Sequence, residues 1–125
     1  MALGLIGNCS ISALVDDKAR IVWWCLPRPD GDPVFHALLG SREREEDGAF
    51  SIEIEDFSHS EQRYIENTAI LRTRRIASDG GAIEIDDFCP RFLSRGRVFR
   101  PSQIVRRIRP VAGRPRVRIM LRPRF

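Results

Sequence analysis

The sequence predicts an all-β fold, an antiparallel β-sandwich or barrel with one short helix near residues 33–39. Three observations carry that prediction. Apolar residues recur at every second position in several segments, which is the period of a strand with one buried face. Short clusters of Gly, Asp and Pro separate those segments and accept the tight turns of hairpins. A single stretch, after Asp32, has the spacing and end residues of a helix. The chain has 125 residues, one domain's worth, and is long enough to bury a real core.

The first two strands are "SISALV" (10–15) and "RIVWWCL" (20–26), divided by "DDKA" (16–19). With Val15 set opposite Arg20, Cys9, Ile11, Ala13, Val22, Trp24 and Leu26 share one face. Ser10, Ser12, Leu14, Ile21, Trp23 and Cys25 share the other, so Cys9 and Cys25 point apart. The loop "PRPDGDP" (27–33) follows, and its three prolines present Arg28 and Asp30 on a stiff frame. Asp32 then suits an N-cap, Pro33 the first helical position and Gly40 the residue past the end. Val34, Phe35, Leu38 and Leu39 form the apolar stripe of that helix.

The acidic run "EREED" (43–47) reads as a solvated loop. "FSIEIEDF" (50–57) places Phe50, Ile52 and Ile54 on one face and Ser51, Glu53 and Glu55 on the other. "AILRTRRI" (69–76) and "AIEIDDF" (82–88) flank the turn "SDGG" (78–81), with Ile83 and Ile85 opposite Glu84 and Asp86. "IVRRIRPV" (104–111) and "RVRIMLR" (116–122) flank "AGRP" (112–115) and carry arginines where the earlier strands carry acids. In the last strand Arg116, Arg118, Met120 and Arg122 share one face, and Val117, Ile119 and Leu121 share the other.

Charge divides the chain. Up to residue 90, seventeen acids outweigh Lys18 and eight arginines, a net −8; from Arg91 onward twelve arginines meet no acid, a net +12. A basic tail of this kind fits nucleic acid. But no aromatic lies between Arg100 and Arg124 for bases to stack on. Internal pairing is preferred: some of Arg107, Arg109, Arg116 and Arg118 are expected to face Glu53, Glu55, Glu84 or Asp86 across a sheet.

Catalytic chemistry is thin. His36 and His59 are far apart in sequence, and neither lies in a ligand-spaced motif. Cys9, Cys25 and Cys89 form no C-x-x-C pair and read as reduced thiols of a cytoplasmic protein. No apolar run reaches membrane-span length, and "MALGLIG" lacks the basic lead of a signal peptide. No metal, no cofactor and no catalytic residue is assigned.

Six motifs in order then carry a family resemblance. They are "LGLIGNCSISALVD", "IVWWCLPRPDGDPVFHALL", "SEQRYIENTAILRTR", "GGAIEIDDFCPRF", "FRPSQIVRRIRPVAG" and "VRIMLRPRF". Together they resemble the N-terminal β-sandwich domain of the glucoamylase and trehalase-like proteins of glycoside hydrolase family 15, over essentially the whole chain. One position departs: Pro29 stands where the family's P-R-F-D pattern has phenylalanine. The resemblance implies an N-terminal supersandwich followed by a helical (α/α)6 barrel that holds two catalytic glutamates. Such inverting carboxyls stand ~6.5–9.5 Å apart, and no glutamate here matches either. The implied partner is therefore that barrel, and no hydrolysis is expected from this chain alone.

The family's sandwich is longer than residues 1–125, so open strand edges and homo-oligomers through them are expected. Trp23, Arg28 and Asp30 are the candidate docking or pocket-rim residues; the simpler expectation is a rigid turn with an Arg–Asp contact. A stand-alone carbohydrate-binding module, needing exposed aromatics, and a basic nucleic-acid binder are the alternatives.

Overall fold

A computed structural model describes residues 3–26, 28–39 and 48–123. Its strands are β1 (Leu3–Gly7), β2 (Ser12–Asp16), β3 (Ile21–Leu26), β4 (Asp32–Phe35), β5 (Ala49–Ile54) and β6 (Phe57–Tyr64). They continue as β7 (Leu71–Ala77), β8 (Ala82–Phe88), β9 (Phe92–Ser94), β10 (Arg97–Phe99), β11 (Val105–Ala112) and β12 (Val117–Arg122). The described pairings are antiparallel. Sheet I runs β1-β2-β3-β5-β12, with β4 added on β3; sheet II runs β11-β8-β7-β6; β9 and β10 form a ribbon of their own.

Two clusters join sheets I and II into a sandwich. One packs Ile6, Ile11, Ala13, Val15, Ile21 and Phe35 against Leu71 and Cys89. The other packs Ala19, Ile52 and Ile54 against Ala77, Ile83 and Ile85. The inward phase of 50–54 and of 83–85 is therefore the one their alternation predicts.

Polar side chains lock the first hairpin's turn to sheet II. Arg75 donates to the Lys18 carbonyl, and Arg106 to the Ala19 carbonyl. Gln62 Nε2 donates to the Asp16 carbonyl at 2.8 Å. At the far edge the Tyr64 hydroxyl bridges β1, accepting from Leu5 N at 2.9 Å and donating to Leu5 O at 2.8 Å.

Four expectations change. The register of the first hairpin is Leu14 opposite Trp23 and Val15 opposite Ile21, with a bulge between them. That extra residue moves Ile21 from the outer face into the core, where it is fully buried. Cys9 is exposed rather than core, at φ 72° in the turn before β2.

The helix expected near 33–39 forms only as a 3-10 turn at Ala37–Leu39. Asp32–Phe35 instead pairs with β3, which lays the Phe35 ring 6.0 Å from Trp24 and 6.3 Å from Phe50. Burying Phe35 outweighs a propensity that is marginal in so short a helix, and an edge strand tolerates Pro33.

"AGRP" is not a hairpin turn, because β11 belongs to sheet II and β12 to sheet I. On β12 the alternation is as read, but of its six residues only Met120 is buried, and Val117, Ile119 and Leu121 are exposed. The last three lie opposite Ile54, Ile52 and Phe50, yet β12 is an edge strand and nothing described covers its inner face.

Candidate functional site

The arginine strands meet the acidic ones as expected. Arg109 lies opposite Glu84 and Arg107 opposite Asp86, while Arg118 lies opposite Glu53. Arg109 Nη2 reaches Glu84 Oε2 at 2.9 Å, and Arg116 Nε stands 3.8 Å from Glu55 Oε2. Strand β8 is central in sheet II, so its carboxylates are also reached from β7. Arg72 grips Asp86 with two bonds, at 2.8 and 3.0 Å, and Arg74 donates to Glu84 Oε1 at 2.7 Å. The bond from Arg74 holds Glu84 below its ordinary pKa, and the bond from Arg72 does the same for Asp86. This outward ladder flanks an open cavity of about 340 Å³ lined by Glu61, Gln62, Arg63, Arg72 and Arg74.

A second pair is internal. Asp87 is fully buried and accepts from Arg106 at 2.6 and 3.2 Å. Arg106 also donates to Phe50 O at 2.9 Å, and its guanidinium lies 4.7 Å from the Phe50 ring centroid. Burial pushes the Asp87 carboxyl up, against the pull of Arg106. The sequence held a signal for this pair. Arg106 falls in phase with Ile104 and Ile108, and Asp87 in phase with Ile83 and Ile85, so each interrupts an apolar face with a charge opposite to the other's.

The proposed rim residues divide. Arg28 and Asp30 sit at the tip between β3 and β4, their side chains three-quarters exposed, with Nε and Oδ1 3.4 Å apart. Gly31 N donates to Arg28 O at 2.9 Å and closes the turn. A Cβ at Gly31 would stand 2.4 Å from the Leu26 carbonyl oxygen, so only glycine fits. Trp23 is half-buried across from Leu14 and makes no hydrogen bond or ring contact to that tip among the described residues. Trp24 points the other way, into the core beside Phe35.

No catalytic grouping is assembled among the described residues. His36 packs on Gly48, whereas His59 Nδ1 lies 3.2 Å from Ser58 Oγ. The run 43–47 lies outside the described residues. The three thiols are free, and burial pushes the Cys89 thiol up to about 11.

One surface was missed by the sequence reading. Residues 91–100 are exposed throughout, and β9 and β10 place Phe92, Leu93, Val98 and Phe99 in solvent. The signal was present: "RFLSRGRVFR" repeats an apolar pair on each side of Arg95-Gly96. At the ribbon's root an open cavity of about 470 Å³ is lined by residues that include Cys9, Phe88, Cys89 and Phe92.

No curated protein and no solved structure matches the chain. The family described as "Trehalase-like, N-terminal" matches residues 2–125. The all-β sandwich and the motif order agree with that match, and the chain belongs to the trehalase-like N-terminal domain family.

Proposed function

We propose that the chain is the non-catalytic structural domain of an α-glucoside hydrolase of the glucoamylase and trehalase-like kind, and that it supports a catalytic domain. The family match over residues 2–125 carries this reading. The carboxylate chemistry supports it. A glycosidase acid and base must exchange protons with substrate and water. Glu84, Asp86 and Asp87 are instead engaged by Arg72, Arg74, Arg109 and Arg106. Purified chain should release no glucose from trehalose or maltose, and measurable release would overturn the proposal. The three free thiols support the proposal of a reducing, cytoplasmic compartment.

The loop tip is the rim part of the proposal. Arg28 and Asp30, with Trp23 on the adjoining strand, would touch the catalytic domain. In a full-length protein carrying this domain, R28A/D30A should cost about 1 kcal/mol in stability or in kcat/KM, the order of a rim contact. If neither changes, the tip is a stiff turn whose exposed ion pair contributes ~0–1 kcal/mol or less. The open edge of β12 leads to a related proposal: the isolated chain self-associates there.

A further inference from the structure

We propose that the β9–β10 ribbon is a rooted arm that inserts into an acidic cleft on the catalytic domain, which rests on the reading just given. The ribbon is bonded to neither sheet. A lone two-stranded hairpin is marginal in water unless something covers it. Its turn is well formed, with positive φ at both Arg95 (51°) and Gly96 (76°), as a two-residue type I′ turn requires.

The root is fixed from the body of the domain. Buried Asn8 donates to Pro90 O at 3.0 Å and to Pro101 O at 2.8 Å, one carbonyl on each side of the ribbon. The Asn8 Oδ1 atom accepts from Ser10 N and Ile11 N at 3.0 and 3.1 Å, which orients the amide. Arg91 reaches Cys9 Sγ at 3.4 Å beside it. An arm held at both ends loses little freedom on docking.

The faces of the arm define its partner. Phe92 pairs with Phe99, their centroids 4.9 Å apart, on one face, and Leu93 pairs with Val98 on the other. The four are 46–76% exposed. Apolar side chains on both faces require cover on both, so the partner is a cleft rather than a flat surface. Arg91 and Arg100 stand at the base, Arg95 and Arg97 at the tip, and no acid lies within the arm, so the cleft is acidic at its mouth and its floor. The β12 edge of a second copy is disfavoured as the arm's site, because its Arg116, Arg118 and Arg122 would repel the arm's own arginines. A bilayer is disfavoured because the charged tip would enter first. Stacking on bases would leave Leu93 and Val98 uncovered.

The test titrates the chain into a separately purified catalytic domain of a trehalase-like protein, by calorimetry. F92S/F99S and L93S/V98S should each weaken binding about 30-fold, the range of interface anchors. R95E/R97E should weaken it as well and flatten its salt dependence. Because these side chains are exposed, each variant should keep the thermal midpoint of the parent chain. Unchanged affinity in all three variants overturns the arm while leaving the domain reading intact. Absence of binding by the unaltered chain overturns the domain reading and the arm with it. Tighter binding to oligo-dT or to anionic vesicles than to the catalytic domain overturns the arm as a protein contact.

Discussion

Arg106 ties three other parts of the fold to β11. It comes from β11 and satisfies Asp87 on β8, Phe50 O on β5 and the Ala19 carbonyl in the first hairpin. Removing one member of a buried ion pair leaves a bare charge in a medium of low dielectric. R106M should therefore cost about 3–5 kcal/mol in urea unfolding. R106M/D87L removes both charges and should recover part of that loss, because paired burial is itself costly. If the double variant is no more stable than R106M, the two carbonyl bonds of Arg106, and not the ion pair, hold the sheets together. Arg75 acts similarly with less help. It donates to the Lys18 carbonyl and lies 4.4 Å from the Phe57 ring, and burial lowers its pKa.

Among the elements, β12 is the one whose alternation predicts its phase but not its burial. Ile119 is 57% exposed although Ile52, opposite it, is fully buried. An edge strand with free backbone groups and an uncovered apolar stripe is a template for association. The arginines on its other face oppose that, since like charges brought face to face are unfavourable. Self-association should therefore strengthen as salt screens them, with a Debye length near 10 Å at 0.1 M. Sedimentation of I119K should show a monomer where the parent chain associates. A parent chain that stays monomeric at every salt concentration removes the proposal.

For the molecule as a whole, the carboxylates of β8 find counter-ions both within the acidic portion of the chain, at Arg72 and Arg74, and in the basic portion, at Arg106 and Arg109. Glu84 and Asp86 have folded pKa values below their ordinary 4.5 and 3.8, through Arg74 and Arg72. Groups depressed in the folded state contribute stability that is full above the unfolded pKa and lost as pH falls through the folded one. The urea midpoint should thus decline as pH drops below about 4.5, the ordinary value for Glu84. Asp87, raised by burial, runs the other way and partly offsets this. E84Q/D86N should flatten the decline, which circular dichroism in urea at stepped pH would show. An unaltered slope would mean that other carboxylates govern acid unfolding.

The sequence by itself determined the class of fold and the phase of β5 and β8, because alternation is a local record of which side chains face the other sheet. It also held the expectation that some of Arg107, Arg109, Arg116 and Arg118 face acidic strands, as Arg109 faces Glu84. Only the tertiary structure decided the rest. One bulge moved Ile21 inward, and contact with Trp24 and Phe50 drew Phe35 into a strand instead of a helix. The exposure of β12 and of the β9–β10 ribbon depends on which surfaces the other sheet reaches. That is a property of three-dimensional coverage: the apolar pairs flanking Arg95-Gly96 mark a hairpin but do not record what covers it.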